Sequence, residues 1–349
     1  MPKAVVALSG GVDSSVAAAV LLGDGFDVLG VTLKFGEDGF SGFTNSDIRH
    51  TESFVTESEA VARHLGIEHL TIEAHSKFHR HVIEPSVEAY QRGQTPNPCL
   101  LCNNKMKFGL LAEFAAERNA FLATGHYARI TRSDRNIPVL CRAADESKDQ
   151  SYILFHLLEH NRLERVLFPL GAMQKSEVRS MAKHHNLPSA TREESQDICF
   201  PLKSLIPAVP GRIINENGEI LGYHEGINRF TIGQRQGLGI SAANRMYVTA
   251  IYPNTNEIVV GPDESLYHRS AVVHPYFWSQ AFEQRRYHVM AKIRYNHTPA
   301  SAVIEPKNVS LHIEFDEPQR AITPGQACGC YVEDHLISGG ILQSVDDSP

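Results

Sequence analysis

The chain has 349 residues, 42% of them hydrophobic and 21% charged, with a formal net charge of -7; this is the balance of an ordinary globular protein of two or three domains with substantial cores. A charged tail, a bilayer-spanning segment and a disulfide scaffold are excluded, and six cysteines in so long a chain read as chemistry or as core. The negative charge weighs only mildly against a nucleic-acid partner, because binding depends on local clusters of Arg and Lys.

Met1-Pro2-Lys3 leads straight into an apolar run, leaving no room for a signal peptide, so a cytoplasmic location is expected. From there to about residue 200, short valine-rich runs alternate with helical segments. Strands are expected at Ala4 to Leu8, Val28 to Leu33, His69 to Ile72 and Ala120 to Ala123. Helices are expected near Ser14 to Leu22, Glu57 to Leu65, Phe78 to Gln91, Lys105 to Arg118 and Lys175 to His185. That alternation predicts an α/β fold, a doubly wound parallel sheet. Gly66 stops its helix, and Pro96 with Pro98 confines Gly93 to Cys99 to a loop. After Pro201 turn signals separate runs at Val248 to Tyr252, Glu257 to Val260, Val289 to Tyr295, Ser310 to Phe315 and Ala327 to Val332. This half reads as all-β, a small central β-rich domain followed by a C-terminal β-barrel, giving expected domains of 1–202, 203–265 and 266–349.

Three segments carry chemistry. Ser9-Gly10-Gly11-Val12-Asp13-Ser14-Ser15 joins the first strand to the first helix. Its glycines allow close approach of an anion to a helix N-terminus, where unpaired N–H groups and the dipole favour a phosphate. No lysine follows the glycines, so this is not the P-loop of kinases and GTPases. Thr95-Pro96-Asn97-Pro98-Cys99-Leu100-Leu101-Cys102-Asn103 places two cysteines just ahead of the helix expected from Lys105, with Asn103 or Asn104 as N-cap. A thiolate there gains from the dipole, so a lowered thiol pKa is expected. A zinc half-site would need a second pair, and Cys328-Gly329-Cys330 has the wrong spacing. Glu194-Ser195-Gln196-Asp197-Ile198-Cys199-Phe200 ends in a lone cysteine, a buried small hydrophobe by composition and a presented site residue by its place at the end of the α/β half.

S-G-G-x-D-S resembles the signature of the PP-loop ATP pyrophosphatases, and N-P-C-x-x-C-N, S-Q-D-I-C-F and T-I-G-Q-R-x-G-L-G (Thr231 to Gly239) together resemble the tRNA-specific 2-thiouridylases. The likeness continues through Ala123 to Arg129, Lys148 to Tyr152 and Gly222 to Gly226, in order and over most of the chain. It implies ATP-dependent 2-thiolation of the wobble uridine of tRNA, with ATP adenylating the uracil C2 oxygen. By the same resemblance Ala7, Leu8, Ser9, Gly10, Gly11, Val12, Asp13, Ser14 and Leu33 would bind ATP, with Asp13 near the pyrophosphate and its magnesium and Gly125 at the nucleotide. Cys199 would carry a persulfide and Cys102 would be its partner thiol, releasing sulfide or closing a disulfide. Asn97, Pro98, Cys99, His126, Lys148, Asp149, Gln150, Arg294, Tyr295 and Gln326 match tRNA contacts, and a sulfur-donor protein such as a cysteine desulfurase or a sulfur relay is implied. The anticodon loop lets the target base leave its stack at low cost. Arg212, Arg229, Lys292 and Arg294 are candidate phosphate contacts of the β half.

Two features depart from the family pattern. Some members carry Asp where this chain has Cys99; an iron-sulfur cluster on Cys99, Cys102 and Cys199 is therefore the alternative to the persulfide route, and no other metal ligands are expected. Between Gly36 and Thr56 the family often has a cysteine pair, and this chain has Asn45-Ser46-Asp47. Thr191 to Asp197 is a candidate for reordering on tRNA binding. Plainer readings stand beside these: His126 as a hydrogen-bonded residue fixing a strand end, Arg235 as a turn residue paired to a carboxylate, and the glycine turn as that of a different PP-loop pyrophosphatase acting on a small substrate.

Overall fold

The structure, a computed structural model, describes residues 1–36, 49–159, 161–192, 199–200, 202–241 and 244–344. Asn45 to Asp47 and Glu194 to Ile198 lie outside the described residues.

The first four strands are β1 (Lys3–Ala7), β2 (Asp27–Lys34), β3 (Glu68–Glu73) and β4 (Phe121–Ala123). A hairpin, β5 (Arg129–Arg132) and β6 (Pro138–Cys141), precedes the two-residue β7 (Val166–Leu167). The parallel sheet has the order β3-β2-β1-β4-β7. Val5 belongs to one buried cluster with Val31, while Ala4 and Val6 belong to another with Ala18 and Leu21. Alternate residues of β1 thus bury against opposite layers, which is why the strand reads as a continuous apolar run. The chain order reverses between β1 and β4, and the loops leaving a parallel sheet at such a switch point frame a crevice. Here those loops are the glycine turn and Thr124 to His126.

Helices occupy Val12–Gly23, Arg49–Leu65, 75–91, 98–117 and Lys175–His184. The fourth begins earlier than expected. Asn97 is its N-cap, accepting the Cys99 N–H at 3.0 Å, and Pro98 occupies the first turn. Cys102 consequently lies inside the helix rather than ahead of it, and Cys102–Leu111 winds as a π-helix.

The β half holds two further sheets. β8 (Gly211–Asn215), β9 (Ile220–His224), β10 (Tyr247–Tyr252) and β11 (Glu257–Gly261) pair in the order β10-β11-β8-β9. β12 (Tyr267–Trp278), β13 (Tyr287–Lys292), β14 (Ala300–Lys307), β15 (Ser310–Arg320), β16 (Ala327–Val332) and β17 (His335–Ser344) form an antiparallel barrel, closed where β12 pairs with β17. The β5–β6 hairpin joins that sheet through His335 and Cys141.

One apolar core runs from the parallel sheet into the barrel, because Val5, Tyr152, Phe155, Ala327, Tyr331 and Leu336 share a cluster. Residues 151–158 form short 3-10 turns against β16 and β17. A Cβ on Gly329 would stand 2.9 Å from Tyr152 Cβ, and one on Gly339 2.6 Å from Phe155 Cβ, so both glycines are there for close approach.

Candidate active site

The glycine turn leaves a helix N-terminus without a cap. Gly11, the N-cap, contributes no side chain to the free N–H groups of the first turn. Gly10 has φ 67° and is buried. Ser14 Oγ accepts the Ser9 N–H at 3.2 Å, and Ser15 Oγ donates to the Gly11 carbonyl at 2.8 Å, so the serines shape the turn from within. A Cβ on Gly125 would stand 2.8 Å from both Asp13 C and Ser14 N. The turn and the β4 loop therefore meet, while Leu33, near the end of β2, pairs with Ile72 of β3.

Asp13 is not bare. Lys175 Nζ donates to both of its carboxylate oxygens, at 2.7 and 2.8 Å, and Tyr127 Oη donates to Oδ1 at 2.9 Å. Lys175 is fixed in turn, since Asp145 Oδ2 accepts its N–H at 2.9 Å and Glu177 Oε2 accepts the Gln174 N–H at 2.7 Å. A lysine from the far end of the α/β half thus reaches the acidic residue of the turn. Sequence reasoning missed it, as it missed the Asp13 contact of Tyr127, because no local pattern links positions that distant. Because Lys175 occupies both Asp13 oxygens, Asp13 does not fit as a magnesium ligand while this pair is closed. Lys175→Met should strand a partly buried carboxylate. The Lys175 and Asp13 side chains are 11% and 34% exposed, between the exposed and buried regimes of ion pairs, so a loss of about 1–3 kcal/mol is expected. Thermal denaturation checks it; an unchanged Tm refutes it.

The thiols form the second half. Phe200 stacks edge-on to Phe78 at 5.4 Å, and Cys102 and Phe200 pack on the same cluster of Ala74, Phe78, Val82, Ile83 and Met106. Two segments almost a hundred residues apart are thereby brought together. Burial pushes the Cys102 thiol up to about 12, with Lys107 opposing the rise and Cys199 and Cys99 adding to it. Burial likewise pushes Cys199 up to about 11, with Cys99 adding and Lys107 opposing. Cys99 is raised by burial too, again against Lys107. The expected dipole-lowered thiolate is thus corrected: Cys102 is inside the helix, and desolvation outweighs the dipole. Cys99 and Cys199 still reach solvent, and all three cysteines are free.

Lys107 is the cation whose charge acts on all three thiols, and the winding of the helix turns it toward the face of Cys102. Five residues along an α-helix turn the side chain away by about 140°, whereas a π-helix, bonded from i to i+5, brings positions 102 and 107 close to one face. Alkylation of Cys199 by iodoacetamide should have its pH midpoint near 11 instead of the ~8.5 of a free thiol. Lys107→Gln should move it higher, because a lost cation disfavours the thiolate. A wild-type midpoint near ~8.5, read by mass spectrometry, refutes this.

Among the described residues no three His, Cys, Asp or Glu side chains are grouped closely enough to hold a metal ion.

The tRNA-matched positions fall into two sets. Around Tyr152 lie Tyr295, Cys99 and Asp149, whose charges add to burial in raising its phenol well above the ordinary value; Lys292 Nζ lies 5.0 Å from the same ring. Gln326 Nε2 donates to the Thr95 carbonyl at 2.7 Å, and Thr95 N–H donates to Pro324 O at 2.8 Å, so the Asn97-Pro98-Cys99 arm is docked on the barrel. Asp149 and the remaining positions are engaged internally. Asp149 is buried and accepts the N–H groups of Ala143 and Ser151, at 3.0 and 3.2 Å. Gln150 Oε1 accepts the Tyr127 N–H at 3.0 Å, with Lys148 two residues before it. His126 is buried, its Nδ1 2.8 Å from Thr124 Oγ1, and burial, with Lys107 and His156 adding, holds it well below the usual imidazole value. Arg294 donates to the carbonyls of Arg320 and Ala321. Arg212 pairs with Glu257 and Arg229 with Glu225, both at 2.6 Å, while Arg235 is exposed.

A parallel sheet with an uncapped helix at its switch point, a glycine turn without its own lysine and a barrel behind it define a PP-loop α/β protein. Family models match residues 2–203 as a tRNA methyl transferase HUP domain, 201–262 as a tRNA methyl transferase PRC-barrel domain and 268–342 as an aminomethyltransferase beta-barrel domain. The chain is 37% identical to the tRNA-specific 2-thiouridylase MnmA of Magnetococcus marinus, over 97% of this chain and 98% of that protein. It is 38% identical to the MnmA of Carboxydothermus hydrogenoformans, over 98% and 97%. Among solved structures it is similar to a 4-thiouridine synthetase–RNA complex with bound ATP, at 20% identity over 59% of this chain and 46% of that one, with a TM-score of 0.35. The chain belongs to the tRNA-specific 2-thiouridylase family.

Proposed function

We propose that the protein replaces the C2 oxygen of the wobble uridine of tRNA by sulfur at the expense of ATP. The observation that carries the reading is the convergence of Cys99, Cys102 and Cys199 beside Lys107 in a domain whose glycine turn presents an uncapped helix N-terminus. In this scheme the uracil O2 attacks the α-phosphorus of ATP and pyrophosphate leaves, which turns a stable carbonyl oxygen into a leaving group. Lys175 and the turn's N–H groups hold the phosphates. A donor protein, a cysteine desulfurase or sulfur relay, loads Cys199 with a persulfide. The persulfide is more acidic than the parent thiol, which relieves the high thiol pKa of the resting state. Its terminal sulfur loses a proton and attacks C2, and AMP departs with the former C2 oxygen. The base is then joined to Cys199 through a disulfide. Cys102, deprotonated with Lys107 beside it, attacks Cys199 Sγ; a Cys102–Cys199 disulfide forms, the thiouracil sulfur leaves with the electron pair, and an external dithiol resets the enzyme.

The persulfide route is taken first, and an iron-sulfur cluster on Cys99, Cys102 and Cys199 stays its alternative; iron and sulfide analysis of anaerobically prepared protein distinguishes them. For the substrate, the ring of Tyr152 with Lys292, Cys99 and Tyr295 around it suits a splayed base of the anticodon loop, while the barrel and the central sheet, the proposed units 266–349 and 203–265 beside 1–202, suit the rest of the tRNA. Incubation with ATP, a persulfide donor and unmodified tRNA, followed by nucleoside mass spectrometry, should give 2-thiouridine at the wobble position. Pyrophosphate release driven by a small molecule without tRNA, and no thiouridine, overturns the proposal.

A further inference from the structure

Two residues outside every motif close over the glycine turn. A Cβ on Gly10 would stand 2.5 Å from Glu57 Cβ, 2.8 Å from Glu57 Oε2 and 3.2 Å from Arg192 Nη1. Glu57 and Arg192 form an ion pair, so the pair rests directly on the turn. Outside that ion pair, Glu57 Oε2 and Arg192 Nη1 are buried and have no hydrogen-bond partner among the described residues. The Arg192 guanidinium also lies 5.1 Å from the Phe54 ring.

The turn and the helix behind it favour an anion, and the anion lying on them is the Glu57 carboxylate. A polyphosphate seated on the same glycine cannot share the place with a carboxylate, because the two repel and overlap. Arg192 has no such conflict. Its fork of donors fits phosphate oxygens as well as a carboxylate, and it already stands over the turn. We propose that Arg192 is a phosphate-binding residue of this site and that Glu57 is its resting counter-ion, exchanged for the phosphates of the incoming nucleotide; this rests on reading the turn as an ATP site. The ion pair then acts as a placeholder: it keeps a half-buried guanidinium neutralised until the nucleotide arrives, and it keeps other small anions out.

Calorimetric titration of the full chain with ATP, and with adenosine as a probe without phosphates, tests this in the wild type, R192Q, R192K and E57Q. R192Q should weaken ATP by about ten- to hundredfold, the worth of a charge-assisted hydrogen bond, R192K should recover part of the loss, and adenosine should bind all four alike. E57Q should bind ATP more tightly than the wild type, since a competing anion is gone; this variant keeps the proposal falsifiable if R192Q does not fold. Equal ATP affinity of R192Q and wild type, or weaker ATP binding by E57Q, overturns the proposal and leaves the ATP site standing. No ATP binding by the wild type overturns the ATP reading and the proposal with it.

Discussion

Cys199→Ser is expected to take wobble thiouridine below detection while ATP binding stays at the wild-type level. A serine hydroxyl cannot hold a sulfane sulfur, so the variant loses the carrier and not merely an acid or a base. Cys199 reaches solvent, and substitutions of that kind usually change stability by less than about 0.5 kcal/mol, so loss through unfolding is not expected. Cys102→Ser should fail differently. Attack on C2 still occurs, but the base stays linked to Cys199, and a tRNA–protein adduct should accumulate that a thiol reductant releases. Thiouridine formed at the wild-type rate by Cys199→Ser, or the absence of any reducible adduct with Cys102→Ser, refutes the assigned roles.

Gly125→Ala is the second large effect, and it should abolish ATP binding. The added methyl would lie 2.8 Å from two backbone atoms of the turn and 3.1 Å from Asp13 Cβ. No flexible side-chain end is available to yield, so the turn itself must move. Overpacking of this kind costs about 1–3 kcal/mol, and here the displacement falls on the N–H groups that would face the phosphates. Gly23→Ala is the matched control, because nothing lies within 4 Å of its added methyl. Equilibrium binding of ATP should separate the two, and wild-type affinity in Gly125→Ala refutes the placement.

Much of the nucleotide half was legible in the sequence because its determinants are local. Ala4, Val5 and Val6 lie in a strand buried on both faces, and the glycines mark the turn that follows. The thiol half was legible in its residues and not in its chemistry. Asn97-Pro98 is itself a helix start, with a side-chain cap and a proline in the first turn, but Pro96 and Pro98 taken together favoured a loop reading. Once the helix begins there, Cys102 moves inside it and burial decides its proton affinity, which no spacing of cysteines reveals. The π winding that brings Lys107 toward the thiols has no sequence signature either. The β5–β6 hairpin was missed because its partner, β17, lies almost two hundred residues away.

The docking of Thr95 onto Pro324, Gly325 and Gln326 gives the site an order of assembly. The glycine turn and its sheet are complete early in synthesis, whereas the shelf that fixes the cysteine arm is made more than two hundred residues after the arm. At ribosomal rates that interval lasts on the order of ten seconds or more. Through it the nascent chain has its glycine turn but no seat for Cys99, so a product truncated before Pro324 should keep the turn and its sheet with a loose cysteine arm and form no thiouridine.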